Sequence, residues 1–157
     1  MAEKTILVVD YDPRAVESMA ALFRPRGCRI VTATDGLAAW DKFQLEKPDL
    51  VILEAILPKL HGFDLTRRIV QESNGTVPVV IVTGLYRGPQ YRHEALTSFG
   101  AAAYFEKPLD EERFMQYVLD LLKEKTDIRL GLPTSDEIVE FLKTKLAAGG
   151  TPPPPRN

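Results

Sequence analysis

The chain has 157 residues, 45% of them hydrophobic, which suits one globular domain with a substantial core. Its 20 basic and 22 acidic residues leave a net charge of −2, so no overall basic surface is available for binding nucleic acid. Cys28 is the single cysteine, which excludes an intramolecular disulfide and a cysteine-rich metal site and favours a reduced, cytoplasmic setting.

Short apolar runs alternate with longer amphipathic stretches along the chain. The first apolar run is stopped by Asp10, too early for a signal peptide or a membrane span. Five runs are predicted strands, most of them apolar on both faces: Thr5 to Asp10, Arg29 to Thr32, Leu50 to Leu53, Val79 to Thr83 and Ala103 to Phe105. Such strands, separated by helices, indicate an α/β fold in which a parallel sheet has helices on both faces.

Each amphipathic stretch that follows a strand is predicted to be a helix. In the first, Asp12 is the expected cap and Pro13 lies in the first turn of a helix that reaches about Arg26. The other four are predicted from Asp35 to Lys47, from Phe63 to Gln71, from Gln90 to Ser98, and from about Asp110 onward. The pattern therefore predicts five βα units.

The alternation ends near Thr126, which predicts a first domain of residues 1–125 and an extension of residues 126–148. Within the extension, Thr134 to Glu137 has the pattern of a capping box, so a short C-terminal helix is expected there. That helix either docks on its own domain or offers its apolar face to a partner or a second copy. Residues 149–157, with four consecutive prolines, are predicted to be a disordered tail.

Polar residues stand where four of the predicted strands end. Asp10 ends the first, Glu54 follows the third, Thr83 ends the fourth, and Lys107 comes two residues after the fifth. In an open parallel sheet, ligands bind at the carboxyl ends of the strands, near the point where the strand order reverses. If the order is 2-1-3-4-5, Asp10 and Glu54 flank that point and the other two residues face them.

Several segments together resemble the receiver domains of two-component response regulators. They are ILVVD with Asp12-Pro13, KPDLVIL with Pro58 and Gly62 after it, VPVVIVTG, and the run from Gly100 through FEKP. The resemblance covers about Lys4 to Lys123. It implies a flavodoxin-like sheet of order 2-1-3-4-5 and a signalling domain that is not an enzyme.

The resemblance also implies roles for residues at the strand ends. In receivers, an acidic pair and an aspartate hold Mg²⁺, and that aspartate takes phosphate from a histidine kinase. A hydroxyl residue and a lysine then contact the phosphoryl group. Asp10 matches the first acid, Thr83 the hydroxyl residue, Lys107 the lysine and Tyr104 an aromatic switch residue.

Two residues depart from the receiver pattern at positions that bind the metal or accept the phosphate. Tyr11 stands in place of the second acid, and Glu54 stands in place of the phosphate acceptor. Because Mg²⁺ requires near-ideal octahedral geometry, we expect weak or no binding and no cofactor, with Asp10 and Glu54 only weak metal candidates. Phosphorylation is expected to fail because in-line transfer depends on the metal and on tight placement of the attacking oxygen.

Three side chains have competing interpretations. Glu54 either reaches Thr83 and Lys107 as a mimic of phosphoaspartate, or simply pairs with Lys107 in a partly buried crevice. Tyr104 is either a switch residue or a half-buried ring on the last strand, and the second interpretation is favoured. His61, where receivers commonly have an acid, is expected to be an ordinary surface residue.

A candidate interaction face follows the fourth strand. The segment Leu85 to Pro89 is longer than the usual receiver loop and supplies Tyr86 and Arg87, with Arg92 just beyond and Tyr104 nearby. Aromatic and guanidinium groups are enriched where protein interfaces are anchored. The alternative is a tolerated surface insertion.

The favoured function is a cytoplasmic, phosphorylation-independent module that acts by protein–protein interaction in a two-component or phosphorelay pathway. Its expected partners are signalling proteins, with a histidine kinase as one candidate and a homodimer left open. Neither nucleic acid nor membrane is expected as a partner. One alternative is a conventional phosphoacceptor with an unusual site; another is an enzyme or small-ligand-binding flavodoxin-like domain, although the sequence has no glycine-rich phosphate loop.

Overall fold

The computed structural model describes residues 3–131. Five parallel strands form one sheet in the order β2-β1-β3-β4-β5: β1 is Thr5–Val9, β2 is Arg29–Ala33, β3 is Leu50–Leu53, β4 is Val79–Thr83 and β5 is Ala103–Glu106. The predicted α/β fold and its 2-1-3-4-5 order are therefore confirmed.

A helix follows every strand, and all five predicted helices are present. Their bounds are Pro13–Phe23 for α1, Gly36–Glu46 for α2, Gly62–Glu72 for α3, Pro89–Thr97 for α4 and Glu111–Gly131 for α5. The predicted last turn of the first helix is a separate 3₁₀ turn, Arg24–Arg26, because Pro25 has no N–H for an α-helical hydrogen bond. Helix α5 runs through the predicted boundary at 125/126; the predicted extra helix and proline-rich tail lie outside the described residues.

The core consists of two apolar layers, one on each face of the sheet. Alternate residues of β1 show the division, because Ile6 and Val8 pack with α1 and α5, whereas Leu7 and Val9 pack with α2, α3 and α4. All four side chains are buried. The predicted placement of helices on both faces is confirmed, and the polar residues after the strands are left at the sheet edge.

Local hydrogen bonds hold the edge that carries the candidate site. The Asp12 carboxylate accepts from the N–H of Arg14 at 3.0 Å, so Asp12 caps α1 as predicted. Strand pairing continues one residue past β3 and β5: the Glu54 N–H donates to Val9 at 3.0 Å, and the Lys107 N–H donates to Thr83 at 2.8 Å. The backbones of the site residues are thus extensions of the sheet.

No helix within residues 3–131 has the length and apolar character needed to cross a lipid bilayer.

Candidate functional site

Four of the predicted site residues meet at the carboxyl edge of the sheet. Thr83 Oγ1 donates to Glu54 Oε1 at 2.9 Å, and Lys107 Nζ donates to Asp10 Oδ2 at the same distance. Lys107 Nζ lies 3.8 Å from Glu54 Oε2. The side chains of Asp10, Glu54 and Thr83 are buried, and only 2% of Glu54 is exposed.

The hydroxyl of Thr83 connects the site to the loop between β4 and α4. While it donates to Glu54, its oxygen accepts from the N–H groups of Leu85 and Tyr86, each at 3.2 Å. The Tyr86 carbonyl in turn accepts a hydrogen bond from the hydroxyl of Tyr104. A continuous chain of hydrogen bonds therefore runs from the buried carboxylate to β5.

Burial dominates the electrostatics of Glu54. It raises the pKa of the carboxyl above its ordinary 4.5, and the charge of Asp10 adds to the rise. The hydrogen bond from Thr83, the charge of Lys107 and the nearby backbone of Ile56 lower this pKa without cancelling the effect. One carboxylate oxygen, Oε2, is buried and accepts no hydrogen bond.

Lys107 is held in its charged form chiefly by Asp10. Burial alone lowers the pKa of the ammonium group, but the hydrogen bond and the charge of Asp10, together with the charge of Glu54, raise it above its ordinary value. The interpretation of Glu54 as a simple partner of Lys107 is therefore incomplete. The nearer partner of the ammonium group is Asp10, and the nearer partner of Glu54 is Thr83.

The residues at this edge do not fit the Mg²⁺ ion of a receiver. Asp10 already binds Lys107 through Oδ2 and the N–H of Asp12 through Oδ1, while the Asp12 carboxylate caps α1. Tyr11 supplies a phenol that is 50% exposed, with no carboxylate. Within residues 3–131, no group of three or more His, Cys, Asp or Glu side chains is arranged to hold a metal ion.

The favoured interpretation of Tyr104 as a half-buried ring is wrong. Only 1% of the residue is exposed, and its ring packs edge to face against Phe63 at a centroid distance of 6.3 Å. Burial also raises the pKa of Tyr104 to about 12, so its hydroxyl keeps the proton that it donates to Tyr86. The sequence placed the ring at the edge of the sheet but did not indicate that the side chain of Phe63 covers it.

The predicted interaction face contains one buried, one half-buried and two exposed residues. Arg87 is exposed; it donates to the carbonyl of Lys107 and lies 3.8 Å from the Glu106 carboxylate. Arg92 is exposed, with its guanidinium 5.9 Å from the ring centroid of Tyr104. Tyr86 is half-buried and stacks on Tyr91 at 4.6 Å. Tyr104 is thus buried beneath this face and contacts it through its hydrogen bond to the Tyr86 carbonyl.

His61 has a structural role that the sequence interpretation missed. It is partly buried, and its Nδ1 accepts from the N–H of Phe63 at 3.1 Å, which caps α3. Its ring also lies 5.5 Å from that of Tyr86. The expectation of an ordinary surface residue was therefore wrong. It arose because histidine is uncommon as a helix cap.

Comparison with protein families identifies the fold's relatives. The response regulator receiver domain model matches residues 6–119. "Protein PilH" of Pseudomonas aeruginosa is 29% identical over 114 residues, which are 72% of this chain and 93% of PilH. "Probable transcriptional regulatory protein TcrX" of Mycobacterium tuberculosis is 32% identical over 84% of this chain, but the match spans only 53% of TcrX. The chain thus covers about half the length of this longer relative.

Solved structures show the same architecture. The receiver domain of the putative response regulator NarL from Mycobacterium tuberculosis is 25% identical, with a TM-score of 0.69 over 78% of this chain and 98% of that one. The receiver domain of a putative Luxo repressor protein from Vibrio parahaemolyticus, 21% identical, supports the fold alone, with a TM-score of 0.75 over 85% of this chain and all of that one. Receiver domains are signalling modules that interact with partners such as histidine kinases. From its family match and its fold, the chain belongs to the response regulator receiver domain family of two-component signalling.

Proposed function

We propose that this receiver acts by protein–protein interaction without being phosphorylated. The observation that carries the proposal is the hydrogen bond between Glu54 and Thr83 at 2.9 Å. In the receivers that the chain resembles, the corresponding hydroxyl residue contacts the phosphoryl group. Here the side chain of Glu54, just after β3, already accepts a hydrogen bond from that hydroxyl.

The connection from Glu54 to the surface supports a constitutive state. Thr83 accepts from Leu85 and Tyr86, and Tyr104 donates to Tyr86 while its ring is buried. These contacts fix the loop between β4 and α4, where Arg87 is exposed for a partner. Preorganised contact groups lose less conformational entropy on binding.

The surroundings of Glu54 also oppose phosphoryl transfer to it. Transfer to a carboxylate requires an accessible oxygen and charge neutralisation by a metal ion. Only 2% of Glu54 is exposed, and its Oε1 is engaged by Thr83. Asp10, the other candidate metal ligand, is engaged by Lys107.

The partner is expected to be a cytoplasmic signalling protein, for example a histidine kinase or another component of the pathway. A pull-down with the wild-type chain, Glu54→Asp and Glu54→Ala tests the role of the carboxylate. If Glu54 acts as a mimic of phosphoaspartate, the partner binds the wild type and loses affinity for Glu54→Ala, because Thr83 no longer has its acceptor.

Glu112→Ala provides the matched control, because Glu112 is an exposed carboxylate in the first turn of α5. Its removal is expected to leave capture unchanged. Equal capture of all variants would show that the Glu54–Thr83 contact does not set the binding state. Binding that appears only after treatment with acetyl phosphate would instead establish a conventional phosphoacceptor.

A further inference from the structure

A cavity of about 310 Å³ extends from the candidate site along the face of the sheet that carries α1. Residues of α1 line it on one side at helical spacing: Ala15, Ser18, Met19 and Leu22. The opposite side is formed by Pro108, Leu109 and Glu111, which follow β5. Ser18, Pro108 and Glu111 are exposed, so the cavity is accessible from solvent.

The walls of this cavity are mainly apolar. Its floor includes Val8 and Ile52 from adjacent strands, and Met19 and Leu22 cover them. An apolar cavity of about 150 Å³ is large enough to hold benzene, so twice that volume accommodates a single ring with a short substituent. Small-molecule sites commonly combine such walls with a few polar groups that orient the ligand.

At the sheet edge the cavity is lined by the charged groups of Asp10, Glu54 and Lys107, whereas its exposed part also carries Ser18 and Glu111. Two carboxylates and one ammonium group give this end a net charge of −1 when all three are ionised, so it attracts a cation and repels an anion. Lys107 neutralises Asp10 at 2.9 Å but lies 3.8 Å from Glu54. Glu54 Oε2 is therefore left buried without a hydrogen bond, an arrangement that calls for a donor.

We propose that this cavity binds a small organic ammonium ion, with its charged head at Glu54 and its apolar body between α1 and the sheet. The ammonium group supplies the hydrogen bond that Glu54 Oε2 lacks; because this oxygen is buried, the surrounding side chains must move to admit it. A bare metal ion is disfavoured because the walls are apolar and offer too few oxygen ligands. The proposal goes beyond interaction with a protein partner and does not depend on it.

Benzylammonium is a suitable probe, and its binding to the full-length chain can be followed by two-dimensional amide NMR. We expect saturable shifts at millimolar ligand for residues of α1 and for the segment after β5. Benzoate tests the charge, benzyl alcohol tests the neutral donor, and methylammonium tests the apolar body. Benzylammonium is expected to bind most tightly of the four, and benzoate not at all.

Two variants test the two ends of the site. Ala15→Phe fills the apolar part and is expected to abolish binding, whereas Glu54→Gln removes the charge at the head and is expected to weaken binding about tenfold. Glu112→Gln makes the same charge change outside the cavity and is expected to leave affinity unchanged. The amide spectrum of each variant reports independently whether it is folded.

The proposal is overturned if benzoate binds as tightly as benzylammonium, or if Ala15→Phe retains full affinity while folded. Absence of saturable shifts at millimolar benzylammonium overturns it as well. None of these outcomes bears on the capture of a protein partner, so failure of the ligand site is distinguishable from failure of the proposed function.

Discussion

Glu54 is a buried carboxylate whose charge is only partly compensated. Its Oε1 accepts a hydrogen bond from Thr83, but Oε2 accepts none. The nearby ammonium group of Lys107 donates its hydrogen bond to Asp10 instead. Because burial raises its pKa, the native protein binds this proton more tightly than the unfolded chain does. The resulting stabilisation is present below the unfolded pKa and is lost as pH rises through the folded value.

Glu54→Gln tests this sign directly. The variant has no proton to lose, so its free energy of unfolding should rise relative to that of the wild type as the pH increases above the ordinary carboxyl pKa of 4.5. The expected gain is about 1.4 kcal/mol for each unit by which the folded pKa exceeds the unfolded one. Urea titrations at several pH values measure it, with Glu112→Gln as an exposed control. A wild type that gains on the variant as pH rises would contradict the raised pKa.

The hydroxyl of Thr83 makes three hydrogen bonds, because it donates to one carboxylate and accepts from two backbone N–H groups. Thr83→Val keeps the shape but leaves those groups unsatisfied, so we expect a loss of about 2–3 kcal/mol in the free energy of unfolding. Thr66 is also fully buried, but its hydroxyl donates only to the carbonyl of Gly62. Thr66→Val is therefore expected to cost about 1 kcal/mol or less by the same denaturation measurement. Equal losses for the two variants would contradict the view that the three hydrogen bonds of Thr83 stabilise the site.

At the scale of elements, α2 begins in close contact with the loop after β3. The N–H of Gly36 donates to the carbonyl of Pro58 at 3.0 Å, and a Cβ added at Gly36 would lie 2.1 Å from the carbonyl oxygen of Leu60. Gly36→Ala must displace this backbone, so we expect a loss of about 3 kcal/mol. Gly84→Ala is the control, because its nearest neighbour would be Lys107 Cδ at 3.7 Å. Thermal unfolding of both variants checks the expectation; a small effect at Gly36 would show that the loop yields easily.

The types and order of the elements followed from the sequence because their signals are local. Apolar runs defined the strands, and Asp12 with Pro13 defined the start of α1. Ends were less accurate where a local feature competed, as at Pro25, where a 3₁₀ turn replaces the last helical turn. The cap by His61 was missed because it depends on ring orientation, which no sequence pattern encodes.

The site was predictable in position but less so in its contacts. The strand ends placed Asp10, Glu54, Thr83 and Lys107 together, since a parallel sheet gathers its carboxyl ends at one edge. The choice of partners was not predictable, because it depends on differences of about an ångström between Lys107 and two carboxylates. The burial of Tyr104 likewise depends on Phe63, which lies about forty residues earlier in the sequence.

In the molecule as a whole, different residues determine the fold and the properties of the candidate site. The receiver fold is built from apolar strands and covering helices, whereas the candidate site consists of polar side chains where the strands end. Under the proposed function, the polar edge decides whether the domain responds to phosphate. A receiver can therefore keep its architecture while its carboxyl edge changes function.

Restoring acidic residues at two positions tests that separation. Tyr11→Asp with Glu54→Asp re-creates the acidic set that the receiver resemblance implies, next to Asp10. We expect Mg²⁺ to leave the melting temperature of the wild type unchanged and to raise that of the double variant, because a ligand at ten times its Kd stabilises the native state by about 1.4 kcal/mol. The double variant should also become acyl-phosphorylated with acetyl phosphate. Tyr91→Asp with Glu112→Asp repeats the substitutions outside the set of Asp10, Glu54, Thr83 and Lys107 and should gain neither property. Stable phosphorylation of the wild type at Glu54 would refute the account of this edge.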